Sequence, residues 1–191
     1  MFEIDFCSQR RETCCGPASL KMLLGYYGVD VAFDTLVEEC HVSVDGCTAV
    51  DLLRVGRAHG LASLSAWQTD AEDVLKQDRP AILCWRGTHF LVYGGLNDKD
   101  EPVLYNPGRG VYAIDRGTFA VLFSGIMLSN GRPEDVYPTA AGNHAAGEVF
   151  EAGRQTYRAL RAIARGERLV IGANCEAVNL MDLINQKTEE E

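Results

Sequence analysis

The sequence predicts an α+β fold in which N-terminal helices pack on a C-terminal antiparallel sheet. Segments with helical period fill the chain up to about residue 78, and short apolar segments with strand character follow up to residue 130. Helices and strands that are segregated in this way along a chain are typical of the α+β class. With 191 residues, 47% of them hydrophobic and 24% charged, the chain can form one globular domain with an appendage.

Four helices are predicted in the first part of the chain. In residues 17–27, apolar residues recur at helical spacing between a proline that suits a first turn and a glycine that suits a helix end. Residues 31–42 can form a second helix, and residues 45–60 form a third after an Asp-Gly turn. Residues 69–78 carry acidic side chains at their start, which is typical of the first turn of a helix.

The following part of the chain has the pattern of β-strands. Its apolar or alternating segments are separated by Gly, Asn-Asp and Pro turns, which predicts one antiparallel sheet. The predicted strands are residues 80–85, 89–95, 102–106, 110–115 and 126–130, and a brief helix is predicted over residues 116–125.

The last part of the chain has a different composition. Residues 131–147 are rich in Gly, Pro and Ala, which is typical of a linker. Arginines at helical spacing then predict a basic amphipathic helix, which either docks on the domain or contacts a membrane surface or a partner. We therefore expect a domain over residues 1–130 and a linker with a helical C-terminal extension over residues 131–191.

Charge and cysteine content exclude several classes of function. The net charge of −9 argues against a nucleic-acid partner, which would favour a basic surface. The sequence has no apolar run of about 18 residues and no secretory signal at its start. Seven cysteines, an odd number, favour free thiols in a reducing cytoplasm. Because no C-x-x-C spacing accompanies them, we expect neither a metal nor a cofactor.

Two adjacent cysteines, Cys14 and Cys15, precede the first predicted helix. The N–H groups and dipole at a helix N-terminus stabilise a thiolate, so a thiol pKa of about 8.5 can fall by several units there. Cys15 stands directly before Gly16, which leaves room for a substrate carbonyl, whereas Cys14 lies outside the first turn. Cys15 is therefore the candidate nucleophile, and the alternative is an inert, buried cysteine.

A cysteine nucleophile needs a base and a group that orients the base. His89 begins an apolar strand, and Asn106, at the end of the next strand, can accept a hydrogen bond from the histidine ring. Gln9 could form an oxyanion hole together with the backbone N–H of Cys15. Each of these residues also has an interpretation without a catalytic role. His89 could be a structural residue at a strand end, Asn106 could serve only the Asn-Pro-Gly turn, and Gln9 could be a surface residue.

The order of these residues resembles that of papain-like cysteine peptidases. More narrowly, the chain resembles the bacteriocin-processing cysteine peptidases, which are N-terminal domains of peptidase-containing ABC transporters and remove double-glycine leaders. The transporters of nitrile-hydratase-like leader peptide systems look most similar. The resemblance covers about residues 5–128 and rests on QRRETCCGPASLKMLLGYYG, SVDGCTAVDLLRVGRAHGL, PAILCWRGTHFLVYGG and YNPGRGVYAIDRGTFAVLFSGIML.

This resemblance implies a papain-like α+β fold with Cys15 as nucleophile, His89 as base and Gln9 in the oxyanion hole. Two positions depart from the family pattern. Asn106 stands where the family usually has Asp, which removes a negative charge beside the histidine, and Cys14 stands where it generally has Asp or Glu. The family also continues into transmembrane helices, so the chain is either a stand-alone peptidase or one domain of a transporter.

The implied activity is cleavage of a leader peptide after Gly-Gly or Gly-Ala, coupled to export of the product. A thiolate–imidazolium pair would attack the leader, which would bind as an amphipathic helix. The implied partners are a precursor peptide and the membrane and ATP-binding parts of an ABC exporter, at the cytoplasmic face of the membrane. The alternatives are a non-cleaving domain that docks leaders, a papain-like amidase or transferase, and a thiol-redox or metal protein.

Overall fold

The computed structural model describes residues 1–131. The predicted linker and basic helix of the C-terminal extension lie outside the described residues. A short 3₁₀ helix (Glu12–Cys14) precedes α1. The regular elements are α1 (Cys15–Tyr26), α2 (Phe33–Glu39), α3 (Ala49–Ala58), β1 (Leu64–Gln68), α4 (Ala71–Leu75), β2 (Ala81–Trp85), β3 (His89–Leu96), β4 (Pro102–Asn106), β5 (Gly110–Ala113), α5 (Arg116–Leu122) and β6 (Phe123–Asn130).

The predicted α+β class is confirmed, since helices pack on a six-stranded antiparallel sheet. The strand order is β1-β6-β2-β3-β4-β5, so the last strand of the domain is inserted between β1 and β2. The sequence analysis missed β1 and placed the start of β6 three residues too late. Strand β1 is short, and its register is set by pairing with the distant β6 rather than by its own sequence pattern.

Helices cover both faces of the sheet. Side chains alternate along β2 and β3, so that Ile82 and Val92 face one layer while Leu83 and Tyr93 face the other. The first layer comes mainly from α1, α2 and α3, and the second from α4 and α5. Burial on both faces explains why these two strands are almost continuously apolar.

Helix α3 begins with a capping box, which is formed by its N-cap residue Thr48 and by Asp51. The Thr48 hydroxyl accepts from the backbone N–H of Asp51, and the Asp51 carboxylate accepts from the backbone N–H of Thr48. Such a cap satisfies two N–H groups that the helix itself leaves unpaired. In the same helix, Leu52 lies against the first turn of α1 at Gly16.

The topology brings the first residue of β3 and the last residue of β4 to the same edge of the sheet. These strands are antiparallel neighbours, with Val92 opposite Tyr105, so His89 and Asn106 lie at a common end. Helix α1 packs on β3 and β2, which directs its N-terminus to this end. Within residues 1–131, no helix is both long and apolar enough to cross a membrane.

Candidate active site

Cys15 is the first residue of α1 and is 8% exposed. The backbone N–H groups of Phe90, Gly16 and Cys15 itself lie near its sulfur and favour a negative charge there, which lowers its pKa in part. The contact with Phe90 places the sulfur beside the start of β3, next in the chain to His89. Cys15, the predicted nucleophile, therefore neighbours the strand that begins with His89, the predicted base.

The expected fall in the Cys15 pKa is wrong for the isolated thiol. Burial raises its pKa above the ordinary value of 9.0, and the N–H donors at the helix N-terminus offset this rise only in part. Desolvation disfavours a charged sulfur, whereas hydrogen bonds and the helix dipole favour it, and here desolvation dominates. Burial of Cys15 therefore favours its neutral thiol in the resting domain.

Cys14 has a different environment from Cys15. It is fully buried and packs with Ala18 and Phe33 in a small apolar cluster between α1 and α2. Residues 14 and 18 lie on one face of the helix, which is turned into the core. A carboxylate in this cluster would be costly, so the apolar surroundings account for a cysteine at this position.

Gly16 is required by packing, which differs from the role that the sequence suggested. A Cβ atom at Gly16 would lie 2.4 Å from the sulfur of Cys47 and 3.2 Å from Leu52. The backbone of α1 can approach α3 and its preceding loop only because residue 16 has no side chain. The Cys47 thiol also lies near Cys40, whose proximity raises the pKa of Cys47, so the first turn of α1 packs on the partly exposed Cys47 and the buried Cys40.

His89 is joined directly to Asn106, as predicted from the strand ends. The distance between His89 Nε2 and Asn106 Oδ1 is 2.9 Å. Asn106 is 4% exposed and its amide is further fixed, since Oδ1 accepts from Gly108 N–H at 3.0 Å and Nδ2 donates to the Tyr112 hydroxyl at 3.1 Å. The amide oxygen therefore faces the ring, so Nε2 carries the proton and Nδ1 remains available as a base.

The surroundings of His89 keep its ring neutral. Burial lowers the pKa of His89 below its ordinary value of 6.5, the hydrogen bond to Asn106 opposes this effect, and the positive charge of Arg109 adds to it. A neutral imidazole can accept a proton, which is what a general base must do. Because Asn106 has no charge, it orients the ring without stabilising an imidazolium ion as a carboxylate would.

Gln9 lies against the turn that carries Asn106. Its backbone N–H donates to the Pro107 carbonyl at 3.0 Å, and a Cβ at Gly108 would lie 3.4 Å from the Gln9 Oε1 atom. Its Nε2 atom donates weakly, at 3.4 Å, to the Glu12 carbonyl, and Oε1 is buried without a hydrogen-bond partner in the described residues. The loop before α1 is thus anchored to the end of β4.

A pocket of about 720 Å³ opens beside His89 and Asn106. Its remaining lining consists of side chains from the β2–β3 turn, the β4–β5 turn, β5 and α5, namely Trp85, Arg86, Thr88, Gly108, Arg109, Tyr112, Ile114 and Leu122. Pockets of this size commonly hold small ligands or a few residues of a peptide. Among residues 1–131, no cluster of His, Cys, Asp or Glu is arranged to bind a metal ion.

The sequence analysis missed three groups at this site: the Phe90 N–H, the Tyr112 hydroxyl and the arginines of the pocket. One signal was available, because Asn in an Asn-Pro-Gly turn commonly bonds to the N–H two residues later. Asn106 makes this bond with Gly108 and the bond with His89 through the same oxygen. The structural and the functional interpretations of Asn106 are therefore compatible.

Comparison with known proteins gives consistent matches. Residues 3–134 match the peptidase C39 family. The colicin V secretion/processing ATP-binding protein CvaB of Escherichia coli is 30% identical over 115 residues, which are 60% of this chain and 16% of that protein. The lacticin-481/lactococcin-DR transport/processing ATP-binding protein of Lactococcus lactis subsp. lactis is 27% identical over 126 residues, 63% of this chain and 18% of that protein.

Two solved structures are similar to the domain. One is a double glycine motif protease from an AMS/PCAT transporter in complex with the leader peptide, with a TM-score of 0.61 and 29% identity. It covers 66% of this chain and 89% of that one. The peptidase domain of Streptococcus ComA has a TM-score of 0.57 and 20% identity, covers 68% and 97% of the two chains, and supports the fold.

Replacing Asn106 with Asp tests the electrostatic role of the amide. We expect Asn106→Asp to raise the pKa of His89, because a carboxylate next to the ring favours its charged form. Its oxygens can still accept from His89 and Gly108, and the Tyr112 hydroxyl can turn to donate. The measurement is an NMR titration of the histidine rings. An unchanged or lower pKa of His89 would contradict this electrostatic role of the residue at position 106.

Proposed function

The chain belongs to the peptidase C39 family, whose members are cysteine peptidases, and on this premise we propose that it cleaves the leader from a ribosomally made precursor peptide. The cleavage follows a Gly-Gly or Gly-Ala pair. The observation that carries the proposal is the His89–Asn106 hydrogen bond at the point where the sulfur of Cys15 reaches the start of β3. The similar protease solved with a leader peptide supports this substrate class.

Catalysis begins from a neutral thiol and a neutral imidazole. His89 Nδ1 takes the thiol proton as the Cys15 sulfur attacks the carbonyl carbon of the last leader residue, and a carbon–sulfur bond forms. The resulting imidazolium gives this proton to the amine, and the carbon–nitrogen bond breaks. Water then attacks the thioester with His89 as base, which releases the leader and restores the thiol. We propose proton transfer during the attack because burial raises the pKa of Cys15 and lowers that of His89; the thiolate–imidazolium pair expected from the sequence is the alternative.

The oxyanion that forms in this step needs hydrogen-bond donors. The backbone N–H of Cys15 is suitable because the first N–H groups of a helix have no partner within the helix. The side-chain amide of Gln9 is the second donor that we propose, and its present bond to Glu12, at 3.4 Å, is weak enough to be exchanged. Together these groups would stabilise negative charge where it develops.

The partners and location that we propose follow from the relatives. The chain spans 16–18% of the length of the two curated relatives described above, so the membrane and ATP-binding parts of an ABC exporter are proposed as partners. Leader binding as an amphipathic helix is proposed on the same basis. A cytoplasmic location fits the free thiols of the described cysteines. Residues 131–191 are proposed to link the peptidase domain of residues 1–130 to these partners.

Substitution of the two adjacent cysteines tests the assignment of the nucleophile. Cys15→Ala should abolish cleavage of a synthetic precursor with an amphipathic helical leader ending in Gly-Gly, as measured by mass spectrometry. Cys14→Ala is the matched control and should retain most of the activity, because it stays apolar within the cluster of Ala18 and Phe33.

Two outcomes would contradict the proposal. Loss of cleavage in Cys14→Ala alone, with the variant folded, would make Cys14 the nucleophile. Leader binding by the wild-type domain without cleavage would favour a docking domain instead. A precursor ending in Val-Val should not be cleaved, since the proposed site accepts only small residues at these two positions.

The Gln9→Glu variant tests the oxyanion hole. Glu has nearly the same shape, but a carboxylate accepts hydrogen bonds and cannot donate them. We expect kcat to fall about 100- to 1,000-fold, the usual effect of losing one such donor. Alkylation of Cys15 by iodoacetamide, which develops no oxyanion at this position, should change little. A variant with unchanged kcat would exclude Gln9 from this role.

A further inference from the structure

The pocket beside His89 contains two arginines on neighbouring hairpin turns. Arg86 lies in the β2–β3 turn and Arg109 in the β4–β5 turn, at the sheet end where β3 begins and β4 ends. Both side chains are exposed, and none of the ion pairs in residues 1–131 involves either of them. In a chain with a net charge of −9, such a pair creates a local positive potential.

The backbone holds both arginines in fixed positions. Arg86 and Gly87 have φ angles of 52° and 71°, and Thr88 N–H donates to the Trp85 carbonyl at 3.3 Å, which defines a type I′ turn. This turn is hydrogen-bonded to the end of α5 and the start of β6. The backbone N–H of Arg86 donates to the Leu122 carbonyl, and the backbone N–H of Gly87 donates to the Ser124 hydroxyl. Arg109 N–H donates to the Asn106 carbonyl at 3.0 Å.

The chemistry of the reaction determines which part of a substrate passes this pocket. His89 must deliver its proton to the amine of the residue that follows the scissile bond. That residue therefore passes the imidazole, and the chain attached to it leaves on the side of His89. The pocket shares His89 and Asn106 with the catalytic site, so it lies on this departing side.

We infer that the pocket binds the first residues downstream of the scissile bond and that Arg86 and Arg109 select an acidic side chain there. This inference rests on the proposed function and adds a specificity to it. Tyr112 and Ile114, which are partly exposed, supply the apolar surface along which the peptide lies, and the two guanidinium groups at the rim supply the charge. Arg109 also lies close enough to His89 for its charge to be felt there.

Three synthetic precursors that differ only in the first two residues after Gly-Gly test this inference. These residues are Glu-Glu, Gln-Gln or Lys-Lys, and kcat/KM is measured for each. We expect kcat/KM to be highest for the Glu-Glu precursor, lower for Gln-Gln and lowest for Lys-Lys. The Glu-Glu value should exceed the Gln-Gln value by a factor of about 3–10, as for exposed charge pairs at the rim of a binding site. The ratio should fall at high salt, which screens exposed charges.

The variants Arg86→Asn and Arg109→Gln remove the charges. Asn is among the residues that a type I′ turn prefers at this position, so the turn should remain folded. We expect each variant to reduce the ratio of Glu to Gln and the double variant to bring it close to one. This ratio cancels any effect of Arg109 on the titration of His89. Lys99→Gln, on the exposed turn at the opposite end of β3, is the matched control and should keep the wild-type ratio.

The outcomes separate the two proposals. Equal cleavage of the Glu and Gln precursors by the wild-type protein, or an unchanged ratio in the double variant, would overturn the inference while the proposed function stands. Absence of cleavage of all three precursors would overturn the proposed function and, with it, this inference.

Discussion

The contact between the first turn of α1 and the first residues of β3 determines the rest of the site. The backbone N–H of Phe90 lies near the sulfur of Cys15, so the thiol lies beside the strand that His89 begins. The contact requires a glycine at position 16, because the sulfur of Cys47 occupies the space of a Cβ there. Packing between α1 and α3 therefore decides whether the nucleophile can reach its base.

Asn106 connects the fold of the sheet to the chemistry. Its oxygen closes the turn after β4 through Gly108 and accepts the ring N–H of His89, so one rigid element sets both the hairpin and the tautomer. An amide at this position orients the ring without charging it. Burial also raises the pKa of Cys15 and lowers that of His89. Both effects favour an uncharged thiol and an uncharged imidazole in the resting site.

The sequence was sufficient to predict those features of the fold and site that depend on residues close together in the chain. Helix starts, strand ends and the Asn-Pro-Gly turn predicted the proximity of His89 and Asn106, since adjacent antiparallel strands bring such ends together. Strand β1 was missed because its pairing with β6 is long-range. The direction of the Cys15 pKa shift was wrong because burial depends on tertiary packing. Arg86 and Arg109 belong to turns, and only the folded sheet shows that both face one pocket.

The alkylation rate of Cys15 as a function of pH tests the neutral resting pair most directly. The rate with iodoacetamide would be followed between about pH 5 and pH 10 by peptide-resolved mass spectrometry, in the wild-type protein and in His89→Ala, because only the thiolate reacts. We expect a rate that is slow at neutral pH and keeps increasing with pH without reaching a plateau below the ordinary thiol pKa of 9.0, with little difference between the two proteins. A fast plateau at neutral pH that disappears in His89→Ala would show a preformed ion pair and contradict the account.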